Sequence, residues 1–519
     1  MIIIFIFGTT MMYAQENNYC QKTTDTLNRD EAAAYPINGR LRFSFQNVDV
    51  TNSEEMSIYS FHYDIFNVWR LFPDFFLSIG GYGALSGHRG GFFVGGYGAG
   101  YDLRIMRFFD IEAGIFFGGG GGGGAPQGSG LMLQQYIAFQ IRVLGIGFHV
   151  IGSNINFPDG DIGSRQIAAG CVIPVESWIG LPATGKSKNY LSNFYARHQL
   201  RIFISPQMYF PVSDSRKIDN TPLSNSIALI GIGLEYYFTP EWFAALNFHG
   251  AFYGHVDGYA QMLAGIGRTL FSTKYFKTVA IMQLGAGGGG AVHTGGGGLI
   301  KSSAGIRAPL GKNMGLFINA GYTYAPGGYF KALSLEAGLM RDFSPLTFEA
   351  SDAGKLIPDY FPLDHWKIVM LNKTFFPAKH STLKNGTQME NIIQLVGFAL
   401  YHPITGHLSW TGQAFGAWDG GIGGYAEGLV GFEVNVIPFR GYQRLELSAR
   451  VSGGAAGGGG TEPGSGLIWE SAAGLSYKLS DKNSIILDLG FLDAVKGSLQ
   501  GIVLRVGVSS GFSIPMASE

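Results

Sequence analysis

Residues 118–131 read GGGGGGGAPQGSGL, and two related stretches, GGGGAVHTGGGGL and GGGGTEPGSGL, end at Leu299 and Leu467. The leucines are evenly spaced, because Leu131, Leu299 and Leu467 follow one another at intervals of 168 residues. Self-similarity at a fixed period indicates a repeated structural unit. The sequence therefore predicts three copies of one module, and the glycine-rich stretch marks the same hairpin in each copy.

The composition excludes several classes of protein. The chain has 519 residues, of which 80 are Gly, 46% are hydrophobic and 14% are charged, and its net charge is −1. A chain this apolar and this weakly charged does not stay disordered. It has no excess of basic residues with which to bind nucleic acid. Apart from the N-terminus, no apolar run approaches the length of about 20 residues that a membrane-spanning helix needs.

The middle copy contains eight apolar or alternating runs, which predict eight β-strands. Short breaks alternate with longer or glycine-rich breaks between these runs. Antiparallel hairpins with short turns at one end and long loops at the other are typical of outer-membrane barrels. The predicted strands cover 199–211, 226–238, 242–254, 258–271, 277–288, 298–308, 313–324 and 332–343.

Within the strands, apolar residues alternate with polar or small ones, which predicts one face toward lipid and one toward a wetter interior. The pattern places Leu335 and Leu504 on the lipid side. The candidate lumen-facing residues, which would tune the selectivity of a channel, are Asn319, Glu336, Asp488 and Arg505.

The first copy differs from the other two at these inward positions. The even spacing assigns Val150 and Ala168 as its counterparts of Asp488 and Arg505. Glycines and apolar faces recur in all three copies, whereas the inward polar residues do not. We therefore expect the inward surface to carry the function.

Paired glycines four residues apart recur upstream of the glycine-rich stretch. Residues four apart share one face of a strand, so each pair predicts a smooth patch that lets the sheet bend or another backbone approach closely. The predicted patch consists of Gly83, Gly87, Gly250, Gly254, Gly412 and Gly416.

The N-terminus predicts export. Residues 1–14, MIIIFIFGTTMMYA, form a short apolar segment that ends in Ala14 before an abrupt polar stretch, as in a secretory signal peptide. The chain has two cysteines. We do not expect Cys20 to pair with Cys171, which falls on an apolar strand face.

The sequence predicts no enzyme, metal or cofactor. His88 and His255 recur in two copies, but Ala417 stands at the aligned position of the third. They lack further ligands at metal-binding spacing. The glycine-rich runs are not followed by a helical pattern with Lys and Ser or Thr, which a phosphate-binding loop requires. No catalytic motif of the hydrolase or metalloprotease type is present.

The leader ending in Ala14-Gln15, the glycine- and aromatic-rich hairpins and the alternation of short turns with long loops resemble Bacteroidota outer-membrane β-barrel proteins. The resemblance implies location in the outer membrane, with its lipid and the barrel-assembly machinery as partners. Members of this class commonly end on an aromatic residue in the last strand, a part that Phe512 would play here.

These observations predict an all-β, transmembrane antiparallel barrel of about 24 strands from three eight-strand repeats. A single 24-strand barrel is favoured, and three consecutive eight-strand barrels are the alternative. The expected function is a porin-like channel or passive transporter; the alternative is a non-conducting structural or adhesion barrel that presents glycine-rich loops. The predicted segments are a signal peptide 1–14, a periplasmic segment 15–38, repeats 39–174, 199–343 and 365–512, connectors 175–198 and 344–364, and a tail 513–519.

Overall fold

The fold is known from a computed structural model of the chain. The predicted signal peptide and Cys20 lie outside the residues that it describes. Those residues are 32–51, 54–66, 72–143, 145–182, 190–191, 195–196, 199–212, 214–311, 313–358, 360–436, 444–480 and 482–517.

The first barrel consists of eight antiparallel strands. Each strand pairs with its neighbour in sequence, and β1 closes the ring on β8, with Gly39 opposite Val175 and Phe43 opposite Cys171. The strands are β1 (Ala32–Thr51), β2 (Glu54–Phe66), β3 (Phe75–Ser86), β4 (Phe93–Met106), β5 (Phe109–Gly121), β6 (Leu131–Val143), β7 (Ile146–Asn156) and β8 (Gly163–Pro182).

The second barrel repeats this arrangement. Strand β10 closes it on β17, with Gln207 opposite Glu336. The short strand β9 (Tyr195–Ala196) precedes the barrel. Its strands are β10 (Leu200–Pro211), β11 (Ile227–Tyr237), β12 (Trp242–Tyr253), β13 (Ala260–Ser272), β14 (Lys277–Gly288), β15 (Gly298–Pro309), β16 (Met314–Tyr324) and β17 (Lys331–Phe343).

The third barrel closes through β19 and β26, with Lys373 opposite Arg505. The short strand β18 (Leu346–Thr347) and a 3-10 turn (Ala350–Asp352) precede it. Its strands are β19 (Leu363–Pro377), β20 (Ile393–Pro403), β21 (Leu408–Asp419), β22 (Ala426–Val436), β23 (Leu445–Gly457), β24 (Leu467–Lys478), β25 (Asn483–Ala494) and β26 (Gln500–Pro515).

The all-β antiparallel architecture is confirmed, and it takes the alternative arrangement of three barrels. The single 24-strand ring is wrong, because the first and last strands of each module hydrogen-bond to each other. Only one residue pair, Ser513 and Gly180, links β26 to β8 in the described part of the chain. The strands also extend past the predicted segments, because β1 begins at Ala32 and β8 ends at Pro182.

The two ends of the barrels differ. Hairpin turns such as 107–108 and the described parts of both connectors lie at one end, the turn end. The glycine-rich loops 122–130, 289–297 and 458–466 lie at the other, the loop end. At the turn end, β18 pairs with β9, and a buried apolar cluster joins the connectors to the first barrel. Among the described residues, no helix is long and apolar enough to cross a membrane.

Candidate functional site

The structure places all four candidate lumen-facing residues inside the barrels. Arg505 on β26 and Asp488 on β25 are opposite each other in the sheet. Their side chains form an ion pair, with Arg505 Nη2 2.8 Å from Asp488 Oδ2. Arg505 has no exposed surface and Asp488 is 3% exposed. The pair is therefore buried and does not line an open channel.

A network of ion pairs surrounds Arg505 and fills the middle of the third barrel. Arg505 also contacts Glu470 at 3.2 Å and donates a hydrogen bond to Gln413 at 2.7 Å. Glu470 in turn pairs with Lys373 at 2.6 Å and with Arg450 at 3.1 Å. These residues come from strands on all sides of the ring, so their side chains meet across its interior.

The second barrel holds a comparable network. Glu336 pairs with Lys301 at 3.0 Å and accepts a hydrogen bond from Ser205 at 2.8 Å. Asn319 lies opposite Glu336 in the sheet and is also buried. Nearer the turn end, Arg307 pairs with Glu235 at 2.5 Å. This interior is likewise occupied by side chains.

In the first barrel the network is built around Arg40 and Arg42, which are not among the predicted lumen-facing residues. Arg40 contacts Asp64 at 2.7 Å, Asp102 at 2.8 Å and Glu112 at 2.5 Å. Arg42 pairs with the same Asp64 and Glu112. The signal in the sequence was two arginines spaced by two on β1, which places both on one face of a strand.

Of the two counterparts predicted in the first barrel, Ala168 faces inward as expected and Val150 does not. Ala168 is inward-facing and lies opposite Ile151. Val150 points outward and is 51% exposed, so Ile151 is the residue that matches Asp488. Spacing alone misplaced this position by one residue, and a shift of one residue changes the face of a strand.

Apolar residues from the loops close each barrel at the loop end. In the second barrel, Leu223, Val256, Val292 and Phe330 are buried in one cluster with inward residues of the strands. The other two barrels have equivalent clusters. Eight strands enclose an interior just wide enough for side chains. An apolar plug above an ion-pair network therefore leaves each of the three interiors filled.

Three glycines of the predicted patch, Gly83, Gly250 and Gly416, lie where the barrels touch. A Cβ atom on Gly87 or Gly254 would instead meet the backbone of its own barrel. Gly83 faces Ala286 of the second barrel, and a Cβ atom on Gly83 would lie 3.1 Å from the Ala286 Cβ. Gly250 faces Ala455 of the third barrel in the same way, at 3.3 Å. A Cβ atom on Gly416 would lie 2.5 Å from the carbonyl oxygen of Gly119 in the first barrel. Glycine at these positions permits the sheets to approach closely.

The contacts form a ring in which the fifth strand of each barrel packs on the third strand of another: β14 on β3, β23 on β12 and β5 on β21. In the loop that follows the third strand of each barrel, Gly91, Gly258 and Gly424 have φ angles of 90°, 80° and 90°. Each of them packs against the backbone of the neighbouring barrel's glycine-rich stretch. Non-glycine residues rarely adopt such angles. The glycine-rich hairpins are therefore the joints between barrels.

In the third barrel the predicted pair, Gly412 and Gly416, lies four residues before the true counterparts of the other two pairs. The third strand of each barrel has a β-bulge near its end, and Ser86, Tyr253 and Asp419 occupy the equivalent position at this bulge. Gly416 therefore matches Gly83 and Gly250. The counterpart of Gly87 and Gly254 is Gly420, since all three have positive φ and directly follow the bulge. Gly412 lies away from the joint, with the Trp410 ring as its nearest neighbour at 3.8 Å.

Polar groups add to these joints at both ends. At the loop end, Gly90 N–H donates to Gly295 O at 3.1 Å and Gly424 N–H donates to Gly120 O at 3.0 Å. The Tyr97 hydroxyl of the first barrel donates to the carbonyl of Gly397 in the third.

At the turn end, Arg341 of the second barrel contacts Asp364 and His402 of the third, at 3.1 Å and 3.0 Å. Asp364 also accepts a hydrogen bond from His402 at 2.9 Å and one from Trp366 at 2.7 Å. These four residues form the turn-end clamp between the second and third barrels.

The recurring histidines lie on different barrels. His88 and His255 are exposed at loop tips of different barrels. Within the described ranges, no group of three His, Cys, Asp or Glu residues could hold a metal ion. Among the described residues, which do not include Cys20, Cys171 is a free thiol.

The outward faces are apolar. Ile318 is 48% exposed and Leu335 is 41% exposed, and Leu504 lies on the same kind of face in β26. Exposed aromatic residues stand near both ends of the strands, such as Trp242 at the turn end and Tyr324 at the loop end. An outward apolar band with aromatic residues at its borders is the surface of an outer-membrane type β-barrel.

No protein-family model matches the chain, and no curated protein matches it. Solved β-barrels are similar at a low level. OccK11 (OpdR) of Pseudomonas aeruginosa matches 93% of this chain and 98% of its own at 11% identity and a TM-score of 0.21. A point mutant of the ferric enterobactin receptor PfeA of Pseudomonas aeruginosa matches 92% of this chain and 82% of its own at 9% identity and a TM-score of 0.28. A designed transmembrane β-barrel matches 28% of this chain and 97% of its own at 9% identity and a TM-score of 0.20.

Proposed function

We propose that this chain is a non-conducting structural protein of the outer membrane, in which three sealed barrels act as one rigid unit. The observation that carries the proposal is the buried network around Arg505, together with its counterparts around Lys301 and Arg40. An ion would have to displace paired, buried charges and then the apolar loop plug. The proposal assigns no catalytic chemistry to the chain.

Among non-conducting roles, the loops favour structure over adhesion. The glycine-rich loops that would be presented at the cell surface are engaged with neighbouring barrels. Gln127, for example, donates a hydrogen bond to Gly423 O of the third barrel at 2.8 Å, and Gly421 N–H donates to Ser129 Oγ at 3.2 Å. A porin-like passive channel is the competing proposal, and it requires both the plugs and the networks to move.

Conductance of the full chain in planar lipid bilayers tests the sealed state. A solved porin measured in parallel serves as the positive control, and heat-modifiable migration of the same sample verifies folding. We expect no discrete conductance steps from the folded chain. Reproducible steps that scale with the amount of inserted protein would overturn the proposal in favour of the channel.

A further inference from the structure

A large cavity lies between the three barrels, outside all of their interiors. Its volume is about 2850 Å³. Residues of every barrel line it, and most of them are apolar and point outward from their own barrel. Representative lining residues are Leu77 and Tyr101 of the first barrel, Ala264 and Ile266 of the second, and Met370 and Val508 of the third.

The cavity differs at its two ends. At the loop end the barrels approach through their glycines, as between Gly416 and Gly119. Toward the turn end its wall includes Leu346 of the connector and the polar residues Ser480 and Asn483 of the third barrel. Backbone contacts between barrels therefore lie at the loop end of the cavity, and Ser480 and Asn483 border its turn end. Asn154 and Arg165 of the first barrel add polar groups to the wall.

Water is a poor occupant of this space. A buried water needs between two and four polar partners, and apolar cavities stay dry. The walls also leave large apolar side chains uncovered, since Ile266 is 54% exposed and Tyr101 is 42% exposed. Exposed apolar patches of this kind mark binding sites for an apolar partner. The walls are continuous with the outward faces that contact the membrane, and hydrocarbon suits both surfaces equally.

We propose that the cavity is a lipid-binding site that holds the acyl chains of a glycerophospholipid, with its headgroup at the turn end near Ser480 and Asn483. The apolar wall fits the acyl chains, and the polar border fits the glycerol and phosphate oxygens. The proposal rests on the membrane location in the proposed function. It does not depend on whether the barrels conduct.

Two pairs of substitutions test the site. Ala244 and Ala264 line the cavity on neighbouring strands. The double variant Ala244→Phe/Ala264→Phe fills part of it. The matched control is Ala304→Phe/Ala320→Phe, because these alanines also lie on neighbouring strands of the second barrel with their side chains on its outer face, but do not line the cavity.

The measurement is the number of phospholipids bound per chain, by native mass spectrometry and lipid extraction after exchange into lipid-free detergent. We expect the wild type and the control to retain at least one glycerophospholipid. The cavity variant should lose at least half of it while staying heat-modifiable. Absence of lipid from the wild type, retention of lipopolysaccharide instead, or equal retention by both variants would overturn the proposal. Channel activity would overturn only the sealed-barrel proposal.

Discussion

Gly416 of the third barrel lies against Gly119 of the first, and a Cβ atom on either residue would come within 2.5 Å of the carbonyl oxygen of the other. The two sheets therefore meet backbone to backbone. Glycine normally weakens a strand because it has no side chain to pack. Here the missing side chain is what allows two separately closed barrels to touch.

Gly416→Ala should destabilise the chain by about 1–3 kcal/mol, because the added methyl group overpacks a tight contact. The matched control is Gly412→Ala on the same strand, where the nearest heavy atom outside its chain neighbours is 3.8 Å from the new Cβ atom. Denaturant unfolding of both variants in detergent measures the difference. Equal unfolding midpoints would mean that the barrels do not pack closely at this joint.

Arg505→Ala should cost about 3–5 kcal/mol, because it leaves Asp488 and Glu470 buried with less compensating charge. The same substitution at the exposed Arg165 is the control, and we expect a change within about 0.5 kcal/mol there. Unfolding free energies of the two variants measure the contrast. A mild effect at Arg505 would indicate that water reaches the interior of the third barrel.

Ile318→Arg should destabilise the inserted protein by about 2–4 kcal/mol, because it places a charge on the lipid face near the middle of β16. Ile218→Arg is the matched control, since Ile218 is 62% exposed in a loop outside the strands. Folding into lipid vesicles, followed by denaturant titration, gives both values. If the two variants behaved alike, the outward face of β16 would not contact lipid.

The turn-end clamp should couple the second and third barrels. A double-mutant cycle of Arg341→Ala and Asp364→Ala is expected to give an interaction energy of about 0.5–3 kcal/mol, as for residues in one hydrogen-bonded network. The control cycle uses Arg268 and Glu241, an exposed pair at 3.4 Å, for which we expect less than about 1 kcal/mol. An additive result for Arg341 and Asp364 would mean that the clamp does not hold the barrels together.

The sequence by itself determined the strands and, apart from the position of Val150 on β7, the faces of the residues assigned to them. In the second module every predicted strand lies within two residues of an observed one, from β10 (Leu200–Pro211) to β17 (Lys331–Phe343). These features are local, because the period of two and the turn residues act over a few positions. The same locality explains why Glu336 and Arg505 were assigned to the inward face while Arg40 and Arg42 were overlooked, since partners such as Glu112 lie far away in the chain.

Only the tertiary structure decided how many barrels form and what fills them. Strand edges pair through backbone N–H and C=O groups, which all residues except proline carry, so the sequence of β8 does not show whether it pairs with β1 or with the next module. In the first module, closure pairs the edge strands β1 and β8 through 15 residue pairs. Between β8 and β26 of the third module there is one such pair among the described residues. Once each ring closes on eight strands, the interior has room only for side chains, and the glycines are left facing outward to join three barrels into one unit.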